Sequence, residues 1–217
     1  MNYFRAALVS FLLALTFVPV FGCAGKDVDE SDPAALFKEA EDDIKNDYFQ
    51  TATDKLRSIR NKFPYSNYAV EAQLKLADIH FIQEAYAEAA ATYETFCDLH
   101  PKHEKVAYAL FRTAKSYFKD TPENIARDMT SAGKALETYQ EFQKRFPQAP
   151  ESAEARADIQ VLRDRLANKE LYVGNFYLVR ERRESARNRF KKLISQYPDT
   201  QAAQEAKEKL VQIEKQP

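Results

Sequence analysis

The sequence predicts an all-α protein, a superhelix of about four stacked helical hairpins closed by a C-terminal capping helix. Three observations predict it: a spacing of small, large and proline residues that recurs four times, only four glycines in 217 residues, and no tryptophan in a chain that is 45% hydrophobic. Ala40, Ala52, Leu56, Ile59 and Pro64 follow at steps of 12, 4, 3 and 5 residues. Ala77, Ala89, Tyr93, Phe96 and Pro101 repeat those steps, as do Gly174, Ala186, Phe190, Leu193 and Pro198. A fourth set, Ala114, Ala135, Tyr139, Phe142 and Pro147, differs only in its first step, which is 21.

Each element follows from its residues in chain order. Residues 1–22 have the layout of a signal peptide, with a basic start, the uncharged run Ala6 to Phe21, and Gly22 before Cys23. The run of 16 is short for a membrane span, which needs about 20 apolar residues. Val20-Phe21-Gly22-Cys23 resembles a bacterial lipobox, so Cys23 is the predicted lipid attachment site; an ordinary secretory signal with a chance cysteine is the alternative. Several acyl chains on one residue anchor a protein stably, at about 0.8 kcal/mol per buried methylene. Ala24, where an aspartate would retain a lipoprotein at the inner membrane, points to the outer one. Residues 23–32 are acidic and read as a flexible tether.

Residues 33–148 carry the first three hairpins. The small residue of a first helix lets a second helix cross closely at the small residue twelve positions on. The two larger residues fill the space beneath, and the proline ends the second helix. Such a unit cannot bury its face alone, so neighbours must stack. The nine extra residues of the third copy place an enlarged loop within 120–133. Residues 149–217 then hold one long helix over 151–179, about 42 Å in length, the fourth hairpin, and a capping helix over 201–214. The small–small–large–proline positions resemble those of the tetratricopeptide repeat.

Chemistry is sparse in this sequence. Cys97-x-x-His100-x-x-His103 superficially resembles a metal run but straddles a repeat boundary and lacks a further ligand cluster, so no metal and no cofactor is expected. Cys97 is the single cysteine left in the mature chain, which excludes a disulfide framework. Phosphate loops and nucleophile elbows are missing, which argues against an enzyme. Binding remains. The first helices should line a groove carrying Phe37, Glu41, Ile44, Tyr68, Leu74, Asp78 and Phe81, apolar groups interleaved with carboxylates that suit an extended peptide. The competing reading is that half of them only pack hairpin interiors. Charge is polarised: ten acidic and two basic residues from Asp27 to Asp54, against seven basic and two acidic from Arg180 to Lys192. This suggests a different partner at each end, or simply solvated helix surfaces. Net charge of −1 gives no pull toward nucleic acid, and a protein partner is favoured for the basic turn at Arg180 and Arg183.

Phe63-Pro64-Tyr65-Ser66-Asn67-Tyr68, Pro101-Lys102-His103, Arg127-Asp128, Leu162-Arg163-Asp164-Arg165-Leu166-Ala167 and Tyr197-Pro198-Asp199-Thr200-Gln201-Ala202 together resemble the BamD family of outer-membrane β-barrel assembly lipoproteins. The resemblance implies a non-enzymatic scaffold, lipid-anchored at the periplasmic face of the outer membrane. It implies that the C-terminal half binds BamA, with Arg180 matching the family arginine that meets an acidic residue there, and that the N-terminal half receives C-terminal signals of unfolded barrel proteins. Other Bam lipoproteins are further implied partners. The family's fifth hairpin is represented here by its first helix alone. A different repeat lipoprotein, coordinating peptidoglycan synthesis or other envelope processes, is the alternative; those usually carry a sustained heptad run, which this chain lacks outside its long helix.

Overall fold

A computed structural model describes residues 31–215, so the expected signal segment, Cys23 and most of the expected tether lie outside the described residues. Within them the chain forms α1 (Pro33–Lys45), α2 (Phe49–Lys62), α3 (Asn67–Ile82), α4 (Tyr86–Leu99), α5 (Val106–Asp120), α6 (Thr130–Arg145), α7 (Ser152–Val179), α8 (Arg183–Gln196) and α9 (Gln201–Lys215). Each helix packs on the next. The pairs α1/α2, α3/α4, α5/α6 and α7/α8 are the four expected hairpins, and α9 covers the last. First helices also touch one another, α1 on α3, α5 on α7 and α7 on α9, so they line one face of the stack, its inner face. Among the described residues no helix is long and apolar enough to cross a membrane.

The repeated residues do the packing. Ala40, Ala52, Leu56 and Ile59 are fully buried, and so are their counterparts in the second, third and fourth copies. Leu56 and Ile59 in the first copy give way to Tyr93 and Phe96, Tyr139 and Phe142, then Phe190 and Leu193. The small pair above them is what admits side chains of that size. Gly174 marks the tightest crossing. A methyl group built there would come within 2.7 Å of Cδ1 of Phe190, a ring with no exposed surface and nowhere to retreat.

Two kinds of corner recur. Phe63, His100, Phe146 and Tyr197 each precede the proline that ends a second helix, and share φ near −130° and ψ near 55° (−128/54, −127/53, −132/57 and −132/53). Proline's ring forces its predecessor out of the helical region, so one residue pair sets the same exit angle four times. Within hairpins the turn is a left-handed cap. Tyr48, Ala85 and Arg182 donate their N–H groups to the carbonyls of Asp43, His80 and Tyr177, and the residues between have positive φ: Asp47 (61°), Glu84 (60°) and Glu181 (58°). These positions ordinarily hold glycine; here each is an acid. The third hairpin replaces this turn with residues 121–129, inside the span expected for the insertion. That loop is pinned to α7, because Lys169 Nζ donates to the carbonyls of Ala126 (3.1 Å) and Arg127 (2.9 Å).

The long helix belongs to two cores. Ala155 and Leu162 pack with the third hairpin, whereas Ala167 and Leu171 pack with α8 and α9.

Two outcomes follow for stability. Gly174→Ala gains about 1 kcal/mol of helix propensity but loses about 1–3 kcal/mol to overpacking against Phe190, so its melting temperature should fall; a rise would mean the close crossing is dispensable. Glu84→Gly relieves a left-handed acidic residue and should stabilise by roughly 1 kcal/mol. Thermal unfolding of that variant below wild type would contradict the strain assigned to this turn.

Candidate functional site

The inner face carries one polar position per hairpin, directly after the small residue: Glu41, Asp78, Lys115 and Asn175. Each of the first three reaches the next first helix. Lys75 Nζ lies 3.4 Å from Glu41. Lys115 Nζ donates to Asp158 on α7 at 2.7 Å. Between these sits the densest rung: Tyr93 Oη (2.5 Å) and Tyr108 Oη (2.8 Å) both donate to Oδ1 of Asp78. Arg112 Nε donates in turn to Tyr93 Oη at 3.2 Å, and its guanidinium lies 3.6 Å over the ring of Phe81. Burial, then the adjoining carboxylate, pushes the Tyr108 hydroxyl up to about 12 and raises Tyr93 well above its ordinary value. Both stay protonated and act as donors. The fourth rung is open: Oδ1 of Asn175 is buried with no hydrogen-bond partner.

Beside the Asp78 rung a cleft of about 340 Å³ opens between α3 and α5, lined by Glu71, Leu74, Lys75, Asp78, Lys105 and Tyr108. Lys105 Nζ bonds Glu71 at 2.6 Å across its mouth. Leu74 and Tyr108 make the floor apolar, and the lining carries two acids and two lysines, of which Glu71 and Lys105 pair with each other. The cleft can take an apolar side chain and offer its backbone both signs of partner. Of the residues expected in the groove, Leu74 and Asp78 line this cleft. Phe81 lies half-buried under Arg112. Phe37 is buried and meets the half-exposed Tyr68 ring at 5.6 Å, while Ile44 packs against the first core, so these three belong to the α1–α3 contact. The repeat spacing marks Tyr93 as a core residue but does not reveal its bond to Asp78, nor the parts of Tyr108 and Arg112. A buried tyrosine in the slot that Leu56 and Phe190 fill elsewhere needs an acceptor for its hydroxyl, and that was the available signal.

The basic segment divides on inspection. Arg189 (3.0 Å) and Lys192 (2.6 Å) both close on Glu170, and Arg187 pairs with Glu184 at 2.6 Å. Arg180 differs. It caps α7, is exposed, and meets no carboxylate among the described residues; its guanidinium lies 3.7 Å over the ring of Phe176. Arg183 opens α8 nearby, also exposed. The acidic end is likewise partly internal, since Lys55 holds Asp43 (2.7 Å) and Glu39 (3.0 Å).

The cysteine and histidines singled out by the sequence lie in packing positions. Burial pushes the Cys97 thiol up to about 11, away from the thiolate a nucleophile needs. Rings of His100 and His103 flank Phe96 at 5.2 and 5.3 Å. No group of three or more His, Cys, Asp or Glu side chains among the described residues is placed to hold a metal ion.

Solved structures similar to this chain include a tetratricopeptide repeat protein from Parabacteroides merdae (16% identity, 84% of this chain and 73% of that one, TM-score 0.45). Another is a thermophilic repeat protein of Thermus thermophilus (13% identity, 84% and 98%, TM-score 0.44). The hairpin geometry itself carries the fold assignment. In sequence, outer membrane protein assembly factor BamD of Vibrio cholerae is 30% identical over 217 residues, covering 95% of this chain and 88% of that protein. BamD of Caulobacter vibrioides is 28% identical, covering 94% and 68%, and BamD of Neisseria gonorrhoeae is 28% identical, covering 91% and 79%. The profile of the outer membrane lipoprotein family YfiO matches residues 29–216, all four hairpins and the basic turn included. The chain therefore belongs to the YfiO family of outer membrane lipoproteins, the family of the assembly factor BamD.

Proposed function

We propose that this protein is a non-catalytic scaffold of the machinery that assembles β-barrel proteins into the outer membrane. In this reading it is anchored through acylated Cys23 and faces the periplasm. It binds BamA through Arg180 and Arg183 in the fourth hairpin, and takes the C-terminal signals of unfolded barrel proteins in the α3/α5 cleft. Other Bam lipoproteins are further partners, and nucleic acid is not.

The observation that carries this reading is the state of Arg180. Its neighbours Arg187, Arg189 and Lys192 are neutralised by the chain's own carboxylates, whereas Arg180 is exposed, stacked on Phe176, and meets no carboxylate among the described residues. A guanidinium in that state is built to meet an outside carboxylate bidentately. The family relationship supports naming the partner class, because the curated relatives are assembly factors. The cleft supports substrate binding by its mixture of apolar floor and paired charges, which grips a side chain without demanding one sequence.

Three outcomes are expected. A tagged chain purified from detergent-solubilised membranes should bring down a large β-barrel protein identifiable by mass spectrometry; its absence defeats the assembly reading. Arg180→Glu should weaken that association by roughly 2–5 kcal/mol, the range for breaking a desolvated charge pair, and an unchanged affinity would remove Arg180 from the interface. Cys23→Ser should lose its lipid and appear in the soluble fraction. A variant that stayed on the membrane through salt and carbonate washes would rule out the lipobox.

A further inference from the structure

On α7, Tyr172, Phe176 and Val179 stand at helical spacing on one face and are 47%, 43% and 83% exposed. Three large apolar side chains in a row are a poor way to meet water. Glu170, two residues before the stripe begins at Tyr172, is already taken up by Arg189 and Lys192. Phe176 itself is fixed from two sides. Its ring meets Tyr177 edge-on at 5.7 Å, and Tyr177 packs into the fourth-hairpin core. On its other side lies the guanidinium of Arg180, four residues on, at 3.7 Å. Below them the turn is locked by Glu181 at positive φ and by the Arg182 N–H on the Tyr177 carbonyl at 3.0 Å.

We propose that Phe176 is a positioning residue that holds Arg180 for a partner's carboxylate, and that Tyr172, Phe176 and Val179 are the apolar ground on which the rest of that partner surface sits. This rests on the scaffold reading above and deepens it. An arginine at a helix end ordinarily samples many rotamers, and ordering it on binding costs affinity. Stacking on a fixed ring removes that disorder beforehand. It covers one face of the guanidinium and leaves its edge donors free, the geometry a carboxylate accepts in fork fashion. The occupant is thus a protein surface presenting an acidic side chain beside apolar ones. Charge selects it: among the described residues Arg180 meets no carboxylate, and the apolar area beside it excludes a purely ionic partner.

The test is a double-mutant cycle on the full-length chain in detergent, measuring affinity for the β-barrel protein that co-purifies with it. Phe176→Leu should weaken binding by about 3- to 10-fold, the span of a partly desolvated cation–π contact. Phe176→Tyr, which keeps the ring, should bind as wild type. On an Arg180→Ala background, Phe176→Leu should lose most of its effect. In the free chain, the side-chain NMR signals of Arg180 should show a ring-current shift that Phe176→Leu abolishes and Phe176→Tyr retains. Strictly additive effects, or a Phe176→Leu chain that binds normally while wild type binds well, overturn the inference alone. A wild-type chain that captures no β-barrel protein sinks the scaffold reading and takes this inference with it. Binding to phosphatidylglycerol vesicles that Phe176→Leu abolishes, with protein capture unchanged, would assign the patch to a lipid surface and overturn it too.

Discussion

Every hairpin depends on one steric condition: two helices must approach closely enough that only alanine or glycine fits between them. Ala40 against Ala52 sets the first crossing, and Gly174 against Ala186 sets the last. Once backbones are that close, the residue one turn further along the second helix lies under the crossing with no route to solvent. This is why Leu56, Tyr93, Tyr139 and Phe190 are all fully buried despite their different chemistry. The proline then fixes the angle at which the chain leaves for the next pair. Small residues and prolines together thus set both the distance within a hairpin and the offset between hairpins. The inner face is a consequence of the two.

The polar rungs answer a problem that the crossing creates. Tyrosine brings more volume to the slot than leucine, and also a hydroxyl that cannot be left alone in the core. Tyr93 donates it to Asp78 and Tyr139 to Asp158, at 2.5 and 2.6 Å. Those carboxylates need cationic or hydrogen-bonding company of their own. Asp158 finds Lys115, whose ammonium stays charged: burial works against it, but the hydrogen bonds it donates to Asp158 and Glu154 outweigh that and raise its pKa. Asp78 finds Tyr108 and, through Tyr93, Arg112. The second and third hairpins are therefore joined to their neighbours by directional bonds, where the first relies on an apolar slot and one longer ion pair.

These particulars explain what could be read from residues alone. The four copies of the spacing were legible because close crossing leaves no choice of residue, and the insertion showed because it broke a step. The long helix was legible from its uninterrupted apolar period. The hairpin turns were not, since their left-handed positions hold Asp47, Glu84 and Glu181 instead of the glycine that announces such a cap. Groove membership was half legible. Periodicity places Phe37 and Leu74 on first helices but cannot say that Phe37 is spent on the α1–α3 contact while Leu74 floors a cleft. Charge counting misled in a similar way. Seven basic residues from Arg180 to Lys192 look like a patch, yet Glu170, outside that stretch, accounts for two of them. What distinguishes Arg180 is Phe176 behind it, a contact visible only once the helix end is built.

The two proposed binding regions are linked through α7. Its 28 residues run unbroken from the third hairpin's core to the fourth's, and the boundary between those cores falls between Leu162 and Ala167, inside the helix. Rotating the fourth hairpin against the third would require breaking a helical ladder that contains neither proline nor a bulge, and the only glycine in it is occupied by Phe190. Lys169 adds a second tie by clamping the 121–129 loop to the same helix. A hinge is most easily placed where cores meet in a loop, and here they meet in a rod. The Arg180 turn and the third hairpin, whose α5 forms one wall of the cleft, are consequently carried on one continuous helix, as the proposed scaffold role requires.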